Sequence, residues 1–161
     1  MRRVFFLSLA LAVAAPALAS SRLIIARGAW AGFDRGPACE AVAKPIAKTK
    51  GRDAQAYVAI AFDRAGPRHG QMFVQLRRPA RPGSSVVATI GDQPFLLSPR
   101  GAAAWSKDAG QEAAILAAMR VAGGMRIVAR DAAGRRMFDR YLLAGAPTAI
   151  DAAAAACSRP R

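Results

Sequence analysis

The chain has 161 residues, 53% of them hydrophobic, with 24 Lys and Arg against 10 Asp and Glu and a formal net charge of +14. That length fits one domain with one core and leaves little room for a second. One histidine and two cysteines cannot build a zinc finger, and no other nucleic-acid-binding pattern is present, so nucleic acid is not an expected partner.

Residues 1–19 read as a secretory signal peptide. Arg2 and Arg3 supply a positive start, residues 4–15 an apolar stretch, and Ala17-Leu18-Ala19 a small-residue cleavage signal. The apolar stretch is too short for a bilayer span, which needs about 20 residues. Arg2-Arg3-Val4-Phe5-Phe6 loosely resembles a twin-arginine signal. Two arginines also make an ordinary export signal, and the general secretory route is preferred. The expected mature domain is 20–161, periplasmic or secreted. It holds no later run long enough to span a membrane and no lipoprotein cysteine at its start.

Residues 23–33 are apolar, with Trp30 and Phe33 near their end, and predict a first strand. Gly36-Pro37 marks a turn. Residues 38–43 follow as a second strand, ended by Pro45. Lys44, Lys48, Lys50 and Arg52 make a basic loop, read as solvated. Residues 57–62 predict a strand buried on both faces. A charged turn over 63–70 leads to 71–78, where Met72, Val74 and Leu76 share one face. Residues 77–82 are a second basic loop. Residues 84–90 and 93–98 predict a hairpin about Gly91-Asp92, which suits a two-residue turn with Gly first. That register sets Val87 against Leu96 and Ala88 against Phe95. Pro94 lacks a ladder donor, which favours an edge strand.

A helix is predicted near 109–121. Asp108 can cap it, and Gln111 three residues on completes a capping box. Ile115, Leu116 and Met119 share a face at helical spacing and read as core. Gly123-Gly124 ends the helix in the left-handed conformation open to glycine. Residues 125–143 then predict a hairpin about Asp131-Ala132-Ala133-Gly134, a type I turn with Gly134 ready for positive φ. Counting outward pairs Arg130 with Arg136, Val128 with Phe138 and Arg126 with Arg140. Met125, Ile127, Ala129, Met137 and Tyr141 fall on the other, core-facing side, with Asp139 among them. Residues 148–157 predict a second helix, with Thr148 as its cap and Pro160 beyond its end.

Cys39 and Cys157 are the two cysteines, and export brings them to an oxidising compartment, so a disulfide is expected. A metal site lacks partners, since His69 is the sole histidine and lies far away in sequence. Their spacing is not that of a redox pair. Together these elements predict a mainly β, single-domain fold: a β-sandwich or flattened barrel of about seven short strands with two short helices.

Trp105, Asp108, Ala114-Ile115, Ala118-Met119-Arg120, Asp139, Tyr141, Leu143, Gly145, Ala149-Ile150 and Cys157 give the chain a resemblance to the invasion-associated locus B family of Gram-negative bacteria. Trp30 followed by Cys39 fits the same pattern. The resemblance implies a secreted, mainly β protein of one domain, linked in pathogens to host-cell invasion. It implies no enzymatic activity, no cofactor and no site residues.

Three functions are weighed on the residues themselves. An envelope-associated binding module fits the charge, with anionic lipid, lipopolysaccharide or acidic polysaccharide as partners. Arginine dominates, at 20 Arg to 4 Lys, and arginine forks bind phosphate and carboxylate in pairs. A GC-rich genome also writes such a composition. The alternative is a periplasmic hydrolase-like enzyme with an unrecognised site. For that reading His69 lacks a matching nucleophile motif, and Ser84-Ser85 lie outside any G-x-S-x-G. Nucleic-acid binding comes third, and export argues against it. The candidate site is therefore Arg126, Arg130, Arg136 and Arg140 around Phe138. Two readings of it stay open: guanidiniums splayed into water, or a shallow platform that holds an anion.

Overall fold

The computed structural model describes residues 21–49, 51 and 53–159. The expected signal peptide, Lys50, Arg52 and Pro160 lie outside them. Ten strands are described: β1 (Arg22–Arg27), β2 (Trp30–Asp34), β3 (Ala38–Ala43), β4 (Tyr57–Asp63), β5 (His69–Gln75), β6 (Val86–Ile90), β7 (Gln93–Arg100), β8 (Ala103–Trp105), β9 (Gly124–Arg130) and β10 (Arg136–Leu142). Helix α1 (Ala109–Val121) falls between β8 and β9, and α2 (Ala146–Ser158) follows β10. The strands form one antiparallel sheet in the order β1-β2-β3-β4-β5-β8-β7-β6-β9-β10.

Backbone and indole hydrogen bonds draw the two ends of that row together. Ala29 N–H donates to Ala144 O at 3.1 Å, and Ile46 N–H to Arg140 O at 2.8 Å. The Trp30 indole donates to Leu142 O at 2.9 Å. The sheet is thus rolled into a flattened barrel, its seam closed by loop 44–49 instead of a ladder. Gly28 and Gly145 make that seam possible. A Cβ on Gly145 would lie 1.9 Å from Arg27 O, and one on Gly28 2.2 Å from Ala144 O.

One core runs through the molecule. It includes Trp30, Ile60, Met72, Ile115, Met119 and Tyr141, each at most 1% exposed. β4 is buried on both faces, as its apolar alternation predicts. Helix α2 packs on β1 to β4 and α1 mainly on β5. Arg120 on α1 pairs with Asp151 on α2. Cys39 on β3 is bonded to Cys157 on α2, with Cα atoms 5.7 Å apart and a sequence separation of 118. In the chain-entropy model a loop of that length contributes about 5 kcal/mol, as an upper figure.

Several local expectations are corrected. The single strand at 23–33 is two strands: Gly28, at φ 57, opens a tight turn. β8 was not expected; it is a three-residue strand that continues the turn at Gly101. β5 ends at Gln75, because Arg77 turns toward Asp139. Pro94 does not mark an edge: β7 lies between β6 and β8. It is tolerated because β8 pairs only with residues 98–100 of β7, so the strand has an open side at Pro94. Asp108 caps α1 by accepting from Gln111 N–H at 2.8 Å. The Gln111 side chain closes the box one residue early, on Lys107 N–H. The helix ends at Ala122 in extended backbone, and neither Gly123 nor Gly124 takes positive φ. Helix α2 starts at Ala146, capped by Gly145 at φ 89. Pro147, already preset for helix, sits in the first turn, and Thr148 is not the cap. Leu116 is half-buried while Ile115 and Met119 are fully buried.

Candidate functional site

The β9–β10 hairpin has the register expected from its turn. Arg136 pairs with Arg130, Phe138 with Val128 and Arg140 with Arg126. Gly134 takes φ 77, and its N–H donates to Asp131 O at 2.8 Å. Asp131 locks this turn from below. Its carboxylate accepts from Arg135 N–H and Nε, both at 2.9 Å, and Arg78 Nε lies at 3.2 Å. Burial pushes the Asp131 carboxyl up, but the Arg135 bonds and the nearby Arg78 charge outweigh it and hold the group below its ordinary range. A fixed turn fixes the register, and the register puts four arginines on one face.

Directly paired residues in a sheet share a face, so the ladders extend this surface to β6 and β7. Val128 pairs with Val87, and Val87 with Leu96. Leu96, Val87, Val128 and Phe138 therefore form an apolar row across four strands. Phe138 is 41% exposed and Leu96 45%. Beside this row run Pro94, Thr89, Arg126 and Arg140, again directly paired. Arg130 and Arg136 flank the other side of Phe138. The Arg136 and Arg140 guanidinium carbons lie 5.3 and 5.8 Å from the Phe138 ring centre, within cation–π range. Arg130 Nη1 donates to Gly134 O at 3.0 Å.

The arginines differ in whether a carboxylate faces them. Arg22, Arg35, Arg64, Arg68, Arg77, Arg78, Arg120 and Arg135 each face a carboxylate. Among the described residues none of Arg126, Arg130, Arg136 and Arg140 does. Sequence alone put Arg77 and Arg78 in a basic loop without partners for either, and the structure supplies them. Arg77 Nε donates to Asp139 Oδ1 at 2.8 Å, Nη2 bonds the same oxygen, and the carboxylate is 5% exposed. Arg64 was not singled out either. It spans Gly36 O, Ala156 O and Arg159 O, holding the carbonyl end of α2, and it pairs with Asp34 at 2.9 Å. The Gly36 N–H, Arg64 and Arg22 together hold the Asp34 carboxyl down at about 2 against the pull of burial.

An open cleft of about 320 Å³ lies at one end of the arginine face. Thr89, Arg126 and Arg140 form its polar wall, and Ile46 and Leu142 an apolar one. Thr89, Ile46 and Leu142 escaped the sequence reading. Thr89 joins Arg126 only through the β6–β9 pairing, and Ile46 arrives through its bond to Arg140. Tyr141 also lines this cleft, and its hydroxyl has no hydrogen-bond partner among the described residues. Burial pushes the phenol well above its ordinary value.

His69 opens β5 and is exposed, and the Ser84 hydroxyl donates to Arg81 O at 2.7 Å. Among the described residues no cluster of three His, Cys, Asp or Glu is placed to hold a metal ion. No helix among them is long and apolar enough to cross a membrane. Comparisons with family models, curated proteins and solved structures find no match to this chain.

Proposed function

We propose that this is an exported, envelope-associated protein of the invasion-associated locus B type. It is non-enzymatic and binds anionic lipid, lipopolysaccharide or acidic polysaccharide through Arg126, Arg130, Arg136 and Arg140 around Phe138. One observation carries the reading: among the described residues these four arginines share a face that holds no carboxylate, whereas eight others are paired. Arginines directly opposite one another on a sheet repel by roughly 0.2–1 kcal/mol per pair. An anion bound between Arg126 and Arg140 removes that repulsion and offers each guanidinium a charge-assisted bond. Export is part of the proposal, supported by the leader pattern and the disulfide, and predicts a mature N-terminus at Ser20 by mass spectrometry of periplasmic protein.

The test is sedimentation with vesicles that contain phosphatidylglycerol. Arg126→Ala with Arg140→Ala should weaken binding by about tenfold or more, the scale of one or two lost charged hydrogen bonds. The control is Arg100→Ala with Lys107→Ala, two exposed residues whose loss removes the same formal charge. Arg77 is unsuited to such a control, because its side chain holds Asp139. Equal loss in both variants would leave only bulk electrostatics, which salt screens, and would end the reading.

A further inference from the structure

A second cleft adjoins the first. It measures about 510 Å³ and is lined by Ala26, Ala31, Phe33, Val42 and Pro45 among others. Ala26, Ala31 and Val42 are directly paired across β1, β2 and β3, so its floor is a row of small apolar side chains. Lys44 is the one charged residue among the described residues of its lining. Ile46 and Leu142 line both clefts. They are 60% and 50% exposed, large apolar side chains left in water at the boundary between a cationic pocket and an apolar groove.

A small inorganic anion would use only the first cleft and leave the groove and both side chains wet. A neutral chain would use only the second and leave Arg126 and Arg140 facing each other. One ligand that satisfies both is an amphiphile with an anionic head and an apolar tail.

We infer that the two clefts form a single site for a phosphate monoester bearing an acyl chain. The phosphate sits between Arg126 and Arg140 beside Thr89, and the chain crosses Leu142 and Ile46 onto Ala31 and Val42. This rests on the anion-binding reading of Arg126 and Arg140 and adds the class of ligand. The guanidinium forks match phosphate oxygens in pairs, and the Thr89 hydroxyl can donate to a third. The chain covers apolar surface that is exposed among the described residues.

The test is calorimetric titration of the disulfide-intact chain with lysophosphatidic acids of increasing chain length, kept below micelle formation. Glycerol phosphate is the chainless reference. Affinity is expected to rise with each added methylene by up to about fourfold, the transfer value of a buried CH2. Leu142→Ser with Ile46→Ser should flatten that series, so that in this variant the longest members bind no more tightly than glycerol phosphate does; both sites are exposed, and unchanged melting confirms the fold. Arg126→Ala with Arg140→Ala should weaken every member of the series. Affinity independent of chain length, or a slope that survives loss of Leu142 and Ile46, overturns the joint site while leaving arginine-dependent anion binding intact. Binding insensitive to Arg126 and Arg140 overturns both.

Discussion

Replacing Arg77 by Ala should cost about 3–5 kcal/mol, the range for stripping one partner from a buried ion pair. The structure sets the magnitude. Asp139 lies on the core side of β10, with its side chain 5% exposed. Both side-chain bonds to its Oδ1 come from Arg77. The same guanidinium donates to Ala47 O at 3.2 Å, so its loss also frees a carbonyl of the seam loop. The carboxylate left behind is buried and uncompensated. Removing both partners is a different perturbation: Arg77→Met with Asp139→Leu should be close to neutral, because the desolvation penalty goes with the charges. Urea unfolding of the oxidised protein, followed by the fluorescence of Trp30 and Trp105, measures both, and the double-mutant cycle isolates the coupling. At a slope of about 1–3 kcal/mol/M, a loss of 3 kcal/mol moves the midpoint down by about 1–3 M. A single-variant loss below about 1 kcal/mol, the range of an exposed pair, would refute the reasoning.

Cys39→Ser should destabilise by several kcal/mol, with about 5 as the chain-entropy ceiling, and non-reducing peptide mapping should find the Cys39 and Cys157 peptides joined; two freely alkylated thiols would contradict the bond. Met119→Ala should cost roughly 2–5 kcal/mol in the same urea assay, since it empties a fully packed site; a change under about 0.5 kcal/mol would place the helix face in solvent. Stability should also fall in acid. Asp34 is held at about 2, below its ordinary 3.8, so its contribution is present above about pH 4 and is lost as pH drops toward 2. Asp63, Asp131 and Asp151, each held low by arginine, add in the same direction. A melting temperature flat across that window would show these pairs to be energetically idle.

Local signals carried most of the element reading, and long-range partners caused the failures. The β9–β10 register was legible because Asp131 and Gly134 fix the turn, and period two then fixes every side chain beyond it. The β6–β7 register was legible for the same reason at Gly91-Asp92. The two turns read incorrectly both depend on distant backbone. Gly28 turns the chain against Ala144, and Gly145 caps α2 against Arg27; neither contact has a local signature. The expected left-handed helix end at Gly123 failed because α1 runs straight into β9, and an extended Ala122 serves that connection. The mainly β fold with two helices was legible, whereas the strand order, above all the placing of β6 beside β9, was not.

The arginine face was half legible, and the missing half is informative. Sequence supplies charge and register but does not say which arginines are already held. Arg77 and Arg78 look like loop charges, yet they reach Asp139, Asp131 and Asp53. Arg64 looks like one more turn residue, yet it joins Asp34 to the end of α2. Eight arginines are committed to carboxylates this way, so net charge overstates what is free to meet a partner. The four on the β9–β10 hairpin keep their heads available for a structural reason. Every residue directly paired with them on the outer face is another arginine or Thr89, and the neighbouring row is apolar. The hairpin's own carboxylates, Asp131 and Asp139, are turned inward and spent on Arg135, Arg78 and Arg77. Among the described residues an arginine face without carboxylates arises here because the nearby acids are used inside the fold. It follows that Asp139→Asn, which releases Arg77 without touching the outer surface, should lower stability and leave anionic-vesicle binding per folded molecule unchanged. A loss of binding at constant folded fraction would mean that the interior pair and the outer face are coupled through β10, contrary to this separation.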